Sequence, residues 1–150
     1  IYMFIGGSPG GTAGGIKTTT FAILILMIIA ELRGEKNIVI FNRTIERENF
    51  RKAFIIFFAL LTTLFTGILL LTLVEPFDFL SIAFEATSAI ATVGLSMGIT
   101  TSLSFFGKSI IIALMYLGRI GPLTLLLSIN SSKNSKGTEL TYPNGDILIG

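Results

Sequence analysis

Apolar residues in this chain come in long blocks separated by short polar segments. Between Lys52 and Glu75 stand 22 uncharged residues, AFIIFFALLTTLFTGILLLTLV, the length a helix needs to cross a hydrocarbon core. This predicts a spanning helix over 53–74. A second block, SIIIALMYLGRIGPLTLLLSI, holds 21 residues and is interrupted by Arg119, Gly121 and Pro122, which predicts a broken spanning helix over 109–129. A third, Thr18 to Ala30, has 13 uncharged residues and is too short to span alone. Joined to Ile1–Ile5 through GGSPGGTAGG it would reach across, so 1–33 reads as one helix interrupted at 6–15.

The connection FDFLSIAFEATSAIATVGLSMGITTSLS has a different pattern. Phe77 to Ala91 has helical apolar spacing but is too short to cross, and TVGLSMG after it is unlike a helix. Left outside, the segment would expose a large apolar patch. It is expected instead to dip into the membrane and return. Non-helical backbone at membrane depth is tolerated where it lines a water-filled or ion-filled cavity.

Composition sharpens the class. The 150 residues are 51% apolar and 13% charged, so membrane is the leading class. Absence of cysteine and histidine removes disulfides, thiolate sites, the commonest zinc sites and His-based catalysis. The net charge of +2 is too small to imply a nucleic-acid partner. Its distribution gives orientation: Arg33, Lys36, Arg43, Arg47, Arg51 and Lys52 lie between residues 31 and 52, whereas 75–108 carries only Lys108. The 31–52 loop and the 130–150 tail are therefore expected to be cytoplasmic. The loop reads as a solvated flank or a partner's docking surface, and YPNGDILIG in the tail as a short hairpin or interface strand. The chain opens on Ile1 without a basic n-region, and reads as the C-terminal part of a longer protein.

A helix, a short re-entrant helix, an extended T-V-G segment and a second helix make the plan of a cation pore module. A short helix entering from outside aims its negative C-terminal end at the membrane centre. Thr92, Val93, Gly94, Leu95 and Ser96 would follow as a filter whose carbonyls replace an ion's water, with potassium held at those of Thr92, Val93 and Gly94. The plainer alternative is a turn between two interfacial helices. Arg119, near the middle of its block, needs a cavity or a partner at that depth; Glu85 and exposed carbonyls of the broken helices are candidates, for a structural ion pair or a pore role. The glycine stretch reads as a soluble linker, a phosphate loop, or an unwound intramembrane segment. Its membrane-grade flanks oppose the first. Ile16, standing between Gly15 and Lys17, breaks the register of the second. The half-length apolar runs on either side fit the third. Lys17, opposed by a helix dipole, needs an anionic or carbonyl partner or an aqueous vestibule.

FIGGSPGGTAGGIKTTTFAIL, SAIATVGLSMGITTSLSFFGKSIIIALMYLGRIGPLTLLLSI and YPNGDILIG together resemble the C-terminal part of the Trk/Ktr/HKT superfamily of potassium transporters, nearest to KtrB-like membrane subunits. The resemblance implies an all-α membrane protein of four helix, pore helix, filter, helix repeats in a fourfold pseudosymmetric, potassium-channel-like pore. This chain would hold the third inner helix (1–33) with its intramembrane gating loop (6–15), a cytoplasmic loop (34–52), and the fourth repeat (53–129). That repeat has a helix at 53–74, a pore helix at 77–91, a filter at 92–96 and an inner helix at 109–129, followed by the tail (130–150). Gly6, Gly7, Gly10, Gly11, Gly14 and Gly15, with Lys17 and Arg119, match the gate. The filter reads TVGLS where a potassium channel has TVGYG. The resemblance also implies a multi-pass cell-membrane protein that is not an enzyme and holds no covalent cofactor. It would take up K+, with sodium stimulation in many Ktr systems, as a homodimer bound to a cytoplasmic RCK-type nucleotide-binding ring. The alternative is a membrane protein that binds nucleotide phosphate through the glycine loop.

Overall fold

Burial concentrates on a short helix. The computed structural model describes residues 2–8, 14–34, 39–40, 43–44 and 47–120. Its helices are α1 (Thr18–Leu32), α2 (Arg47–Val74), α3 (Phe79–Ile90) and α4 (Phe105–Ile120), with a 3-10 turn at Thr100–Ser102. Two-residue strands β1 (Val39–Ile40) and β2 (Arg43–Thr44) pair antiparallel in the connection between α1 and α2, and the class of the described residues is all-α as expected. Pro9–Ala13, the 121–129 part of the expected inner helix and the 130–150 tail lie outside the described residues.

Helix α2 is the membrane-grade element. Phe50–Val74 is long and apolar enough to cross, yet only 17% of its most apolar window is buried. Phe54, Phe58, Phe65, Leu69 and Leu73 face outward from this chain, so the helix is not enclosed by the segments around it. Thr62, Thr63, Thr66 and Thr72 each donate their hydroxyl to the carbonyl four residues back, at 2.7–2.8 Å, so no hydroxyl on this face is left without a partner. The helix starts at Arg47 rather than at 53. Arg, Glu and Lys are good helix formers, and the charged turn 47–52 continues the helix beyond its apolar part instead of belonging to the loop.

Helix α3, with 12 residues, is about 18 Å long, well short of the roughly 30 Å of a hydrocarbon core. It packs against both α2 and α4, which also touch each other. Ile82, Glu85, Ala86, Ser88, Ala89 and Ile90 are buried, and Leu60 and Leu71 of α2 and Leu114 of α4 close around them. Glu75, buried just past the end of α2, accepts hydrogen bonds from Ser104 N (2.9 Å) and Ser104 Oγ (2.6 Å). Ser104 Oγ in turn accepts from Gly107 N at 3.1 Å, so Ser104 caps α4 and a carboxylate sits at its positive end. This fixes the start of α4 four residues before the expected 109.

The interruption of the first helix takes a specific form. Tyr2–Phe4 form a turn, not a helix, and Ile5 makes a parallel bridge with Ile16. Gly6 N donates to Ile16 O at 2.7 Å and Ile16 N to Phe4 O at 3.1 Å. Those backbone groups are therefore taken by cross-chain bonds rather than by helix bonds, and the expected upstream half-helix is not present at 2–5. The chain leaves the stretch in the direction it entered, and α1 begins at Thr18.

Candidate functional site

The site is the C-terminal end of α3. Its start is set by Asp78, whose carboxylate accepts from Leu80 N at 3.0 Å, an N-cap directly after Pro76-Phe77. Its end is a Schellman motif: Val93 N donates to Ser88 O (3.0 Å) and Thr92 N to Ala89 O (3.1 Å). The motif needs a left-handed residue just past the cap, normally glycine or asparagine. Here it is Thr92, with φ +52°, the one described non-glycine residue with positive φ. A β-branched side chain there is a genuine outlier, at about 1–3 kcal/mol.

Beyond Thr92 the chain runs without regular structure to the 3-10 turn, and Val93, Gly94, Leu95 and Ser96 are exposed. Gly94 has φ +81°, a conformation that leaves the position to glycine. The far side of this segment rests on Glu85, which is 5% exposed. Its carboxylate accepts from Ser96 Oγ, from Met97 N at 3.1 Å and from Thr100 Oγ1 at 2.9 Å. Both oxygens of Glu85, one of the candidate partners of Arg119, hold the segment after TVG, because α3 places it beneath residues 96–100.

Two further elements converge on the end of α3. Gly14 N donates to Thr92 Oγ1 at 2.8 Å across 78 residues of chain, so Gly14 lies against the first residue of TVG. From the other side comes Gly118 of α4, where a Cβ would fall 1.8 Å from the Ile90 carbonyl oxygen. Helix α4 is regular through Gly118, and this glycine serves close approach. Arg119, next to it in the last described turn of α4, is exposed and stands level with the end of α3. Lys17 is the N-cap residue of α1, half-buried, with extended backbone and no side-chain cap. Of the other sequence-predicted gate residues, Gly6 and Gly7 lie in the paired base of the stretch, whereas Gly10 and Gly11 fall outside the described residues.

Chemically, this region offers backbone carbonyls and hydroxyls. Among the described residues no group of three or more Asp or Glu could hold a metal ion through carboxylates. The backbone N–H groups of Gly6 and Gly14, which a phosphate loop would aim at its ligand, are bonded to Ile16 O and Thr92 Oγ1. Sequence reasoning missed the Glu85 and Glu75 contacts and the approach of Gly118. A charged residue within an apolar pattern was the available signal for the first two.

Residues 1–137 match the family model TrkH, described as cation transport protein. The chain is 44% identical over 150 residues to the Ktr system potassium uptake protein B of Bacillus subtilis, covering 100% of this chain and 33% of that protein. It is 40% identical over 152 residues to the potassium/sodium uptake protein NtpJ of Enterococcus hirae (99% and 34%). Identity to the Ktr system potassium uptake protein B of Vibrio alginolyticus is 39% over 150 residues (100% and 32%). The chain thus spans about a third of the length of these relatives. With a family model covering most of its residues and a short buried helix that ends on T-V-G, the chain belongs to the TrkH family of cation transport proteins.

Proposed function

We propose that this chain forms one quarter of a potassium permeation path, together with its gate, in a Ktr-type uptake protein. The observation that carries the reading is the convergence at the end of α3, where the TVG segment, the glycine stretch and Gly118 of α4 meet. In this reading α3 is a re-entrant pore helix whose C-terminal end faces the membrane centre, and its dipole favours a cation there. The carbonyls of Thr92, Val93 and Gly94 replace the ion's water, and Leu95 and Ser96 complete the filter. Gly6–Gly15, Lys17 and Arg119 obstruct the path until a partner moves them.

The cargo is K+, with Na+ as a second cation, in keeping with the names of the relatives. The full-length subunit is a multi-pass cell-membrane protein with fourfold pseudosymmetric repeats, and its 31–52 loop and tail are cytoplasmic. It works as a homodimer with a cytoplasmic RCK-type nucleotide-binding ring. The decisive experiment is Gly94→Ser in the full-length protein. Potassium-limited growth of an uptake-deficient bacterium should be impaired; normal growth would remove the filter role. Deleting residues within Gly6–Gly15 should raise ion flux, whereas unchanged or abolished flux in a well-folded protein would argue against a barrier.

A further inference from the structure

We infer that the Thr92 side chain is a positioning element that couples the glycine stretch to the TVG segment, so that the two take up their geometry together. The inference rests on the filter and gate reading and adds to it a defined link.

Three observations carry it. Thr92 occupies a left-handed slot, φ +52°, that its β-branched side chain disfavours, so holding it there takes restraints, of which the two local Schellman bonds are part. The hydrogen bond from Gly14 N to Thr92 Oγ1, at 2.8 Å, is such a restraint, and it comes from a distant part of the chain. Gly14 is itself built for the contact: a Cβ on it would lie 2.8 Å from Thr92 Oγ1, 2.9 Å from Thr92 Cγ2 and 3.1 Å from Ile90 O. A side chain there would drive the two segments apart. Nor is Gly14 loosely placed, since it is buried beside the paired base of the stretch, where Ile16 is 0% exposed.

The consequence is reciprocal. Moving Gly14 away leaves the Thr92 hydroxyl without this partner and only the local Schellman bonds to keep the residue in its strained slot. Its φ and ψ change, and the carbonyls of Thr92 and Val93 turn with them. Equally, an ion that holds those carbonyls in place favours the docked glycine stretch, because coupling between two sites acts in both directions.

The test uses the full-length protein in proteoliposomes, measuring Rb+ flux and the Rb+ to Na+ flux ratio. Thr92→Val keeps the shape and removes the hydroxyl, whereas Thr92→Ser keeps the hydroxyl. Thr92→Val should shift the flux ratio about five-fold, the factor one neutral hydrogen bond carries, and Thr92→Ser should stay within about two-fold of the parent. Gly14→Ala should reproduce the Thr92→Val effect, and the double variant should add nothing further. Parental flux and ratio in Thr92→Val, or full additivity with Gly14→Ala, would overturn the coupling. If Thr92→Val does not assemble, Thr92→Ala replaces it with the same two outcomes. Gly94→Ser separates the levels: if it is impaired while Thr92→Val is silent, only the coupling fails. If Gly94→Ser is itself silent, the filter reading fails.

Discussion

Gly118→Ala is the smallest change that separates the end of α3 from α4. The added methyl would lie 1.8 Å from the Ile90 carbonyl oxygen, 2.6 Å from its carbonyl carbon and 2.9 Å from its Cα. All three atoms are backbone at the end of a buried helix, so no rotamer change can relieve the clash. Ordinary contact begins near 3.4 Å, and α4 must therefore retreat by roughly 1.5 Å. Overpacking of this kind typically costs about 1–3 kcal/mol, and the upper end applies because the obstacle is main chain. The helix-propensity gain of Gly to Ala, about 1 kcal/mol, offsets part of it. The net expectation is a destabilisation of about 1–2 kcal/mol. It should appear as a lower melting temperature of the detergent-solubilised full-length protein and a several-fold loss of K+ uptake. A melting temperature and uptake equal to the parent's would refute the close approach of α4 to α3.

Other perturbations test neighbouring contacts. Glu85→Ala removes the acceptor for Ser96, Met97 and Thr100; at about 1.5 kcal/mol or more per bond to a charged group, reduced because water reaches those donors, a loss of about 2–4 kcal/mol in the order of the segment after TVG is expected. K+ over Na+ discrimination should fall, with Glu85→Gln milder because its amide keeps an acceptor and gains a donor for Thr100; unchanged discrimination in both variants would count against the role. Asp78→Ala removes the N-cap of α3 and should lower stability by about 1 kcal/mol in thermal melting while leaving ion preference alone. Glu75→Ala strips Ser104 of two bonds and should lower the melting temperature more than Asp78→Ala does; the opposite order would show that the start of α4 is held otherwise.

Much of this arrangement is legible in residue patterns because the membrane enforces simple ones. An uncharged run such as 53–74 can only be a spanning or core helix, and a short apolar helix followed by T-V-G has few uses. Helix α2 still begins at Arg47, since hydropathy marks where lipid ends and helix propensity marks where the helix does. Contacts over long sequence distance escape such reading. The pairing of Gly14 with Thr92 spans 78 residues, and nothing local announces it. Glu85 was visible as a charge out of place, but its partners depend on how the chain turns after Gly94. Nothing in the residues around Gly118 announces its role, and only the packing shows it to be a point of approach.

The central claim is that the carbonyls of Thr92, Val93 and Gly94 hold a dehydrated cation. It is tested most directly by anomalous diffraction from crystals of the full-length protein grown in Rb+. The account predicts an anomalous peak in contact with those three carbonyl oxygens, weakened or lost in Gly94→Ser. Rb+ bound elsewhere in a protein that still transports it, with no peak at these oxygens, would contradict the account.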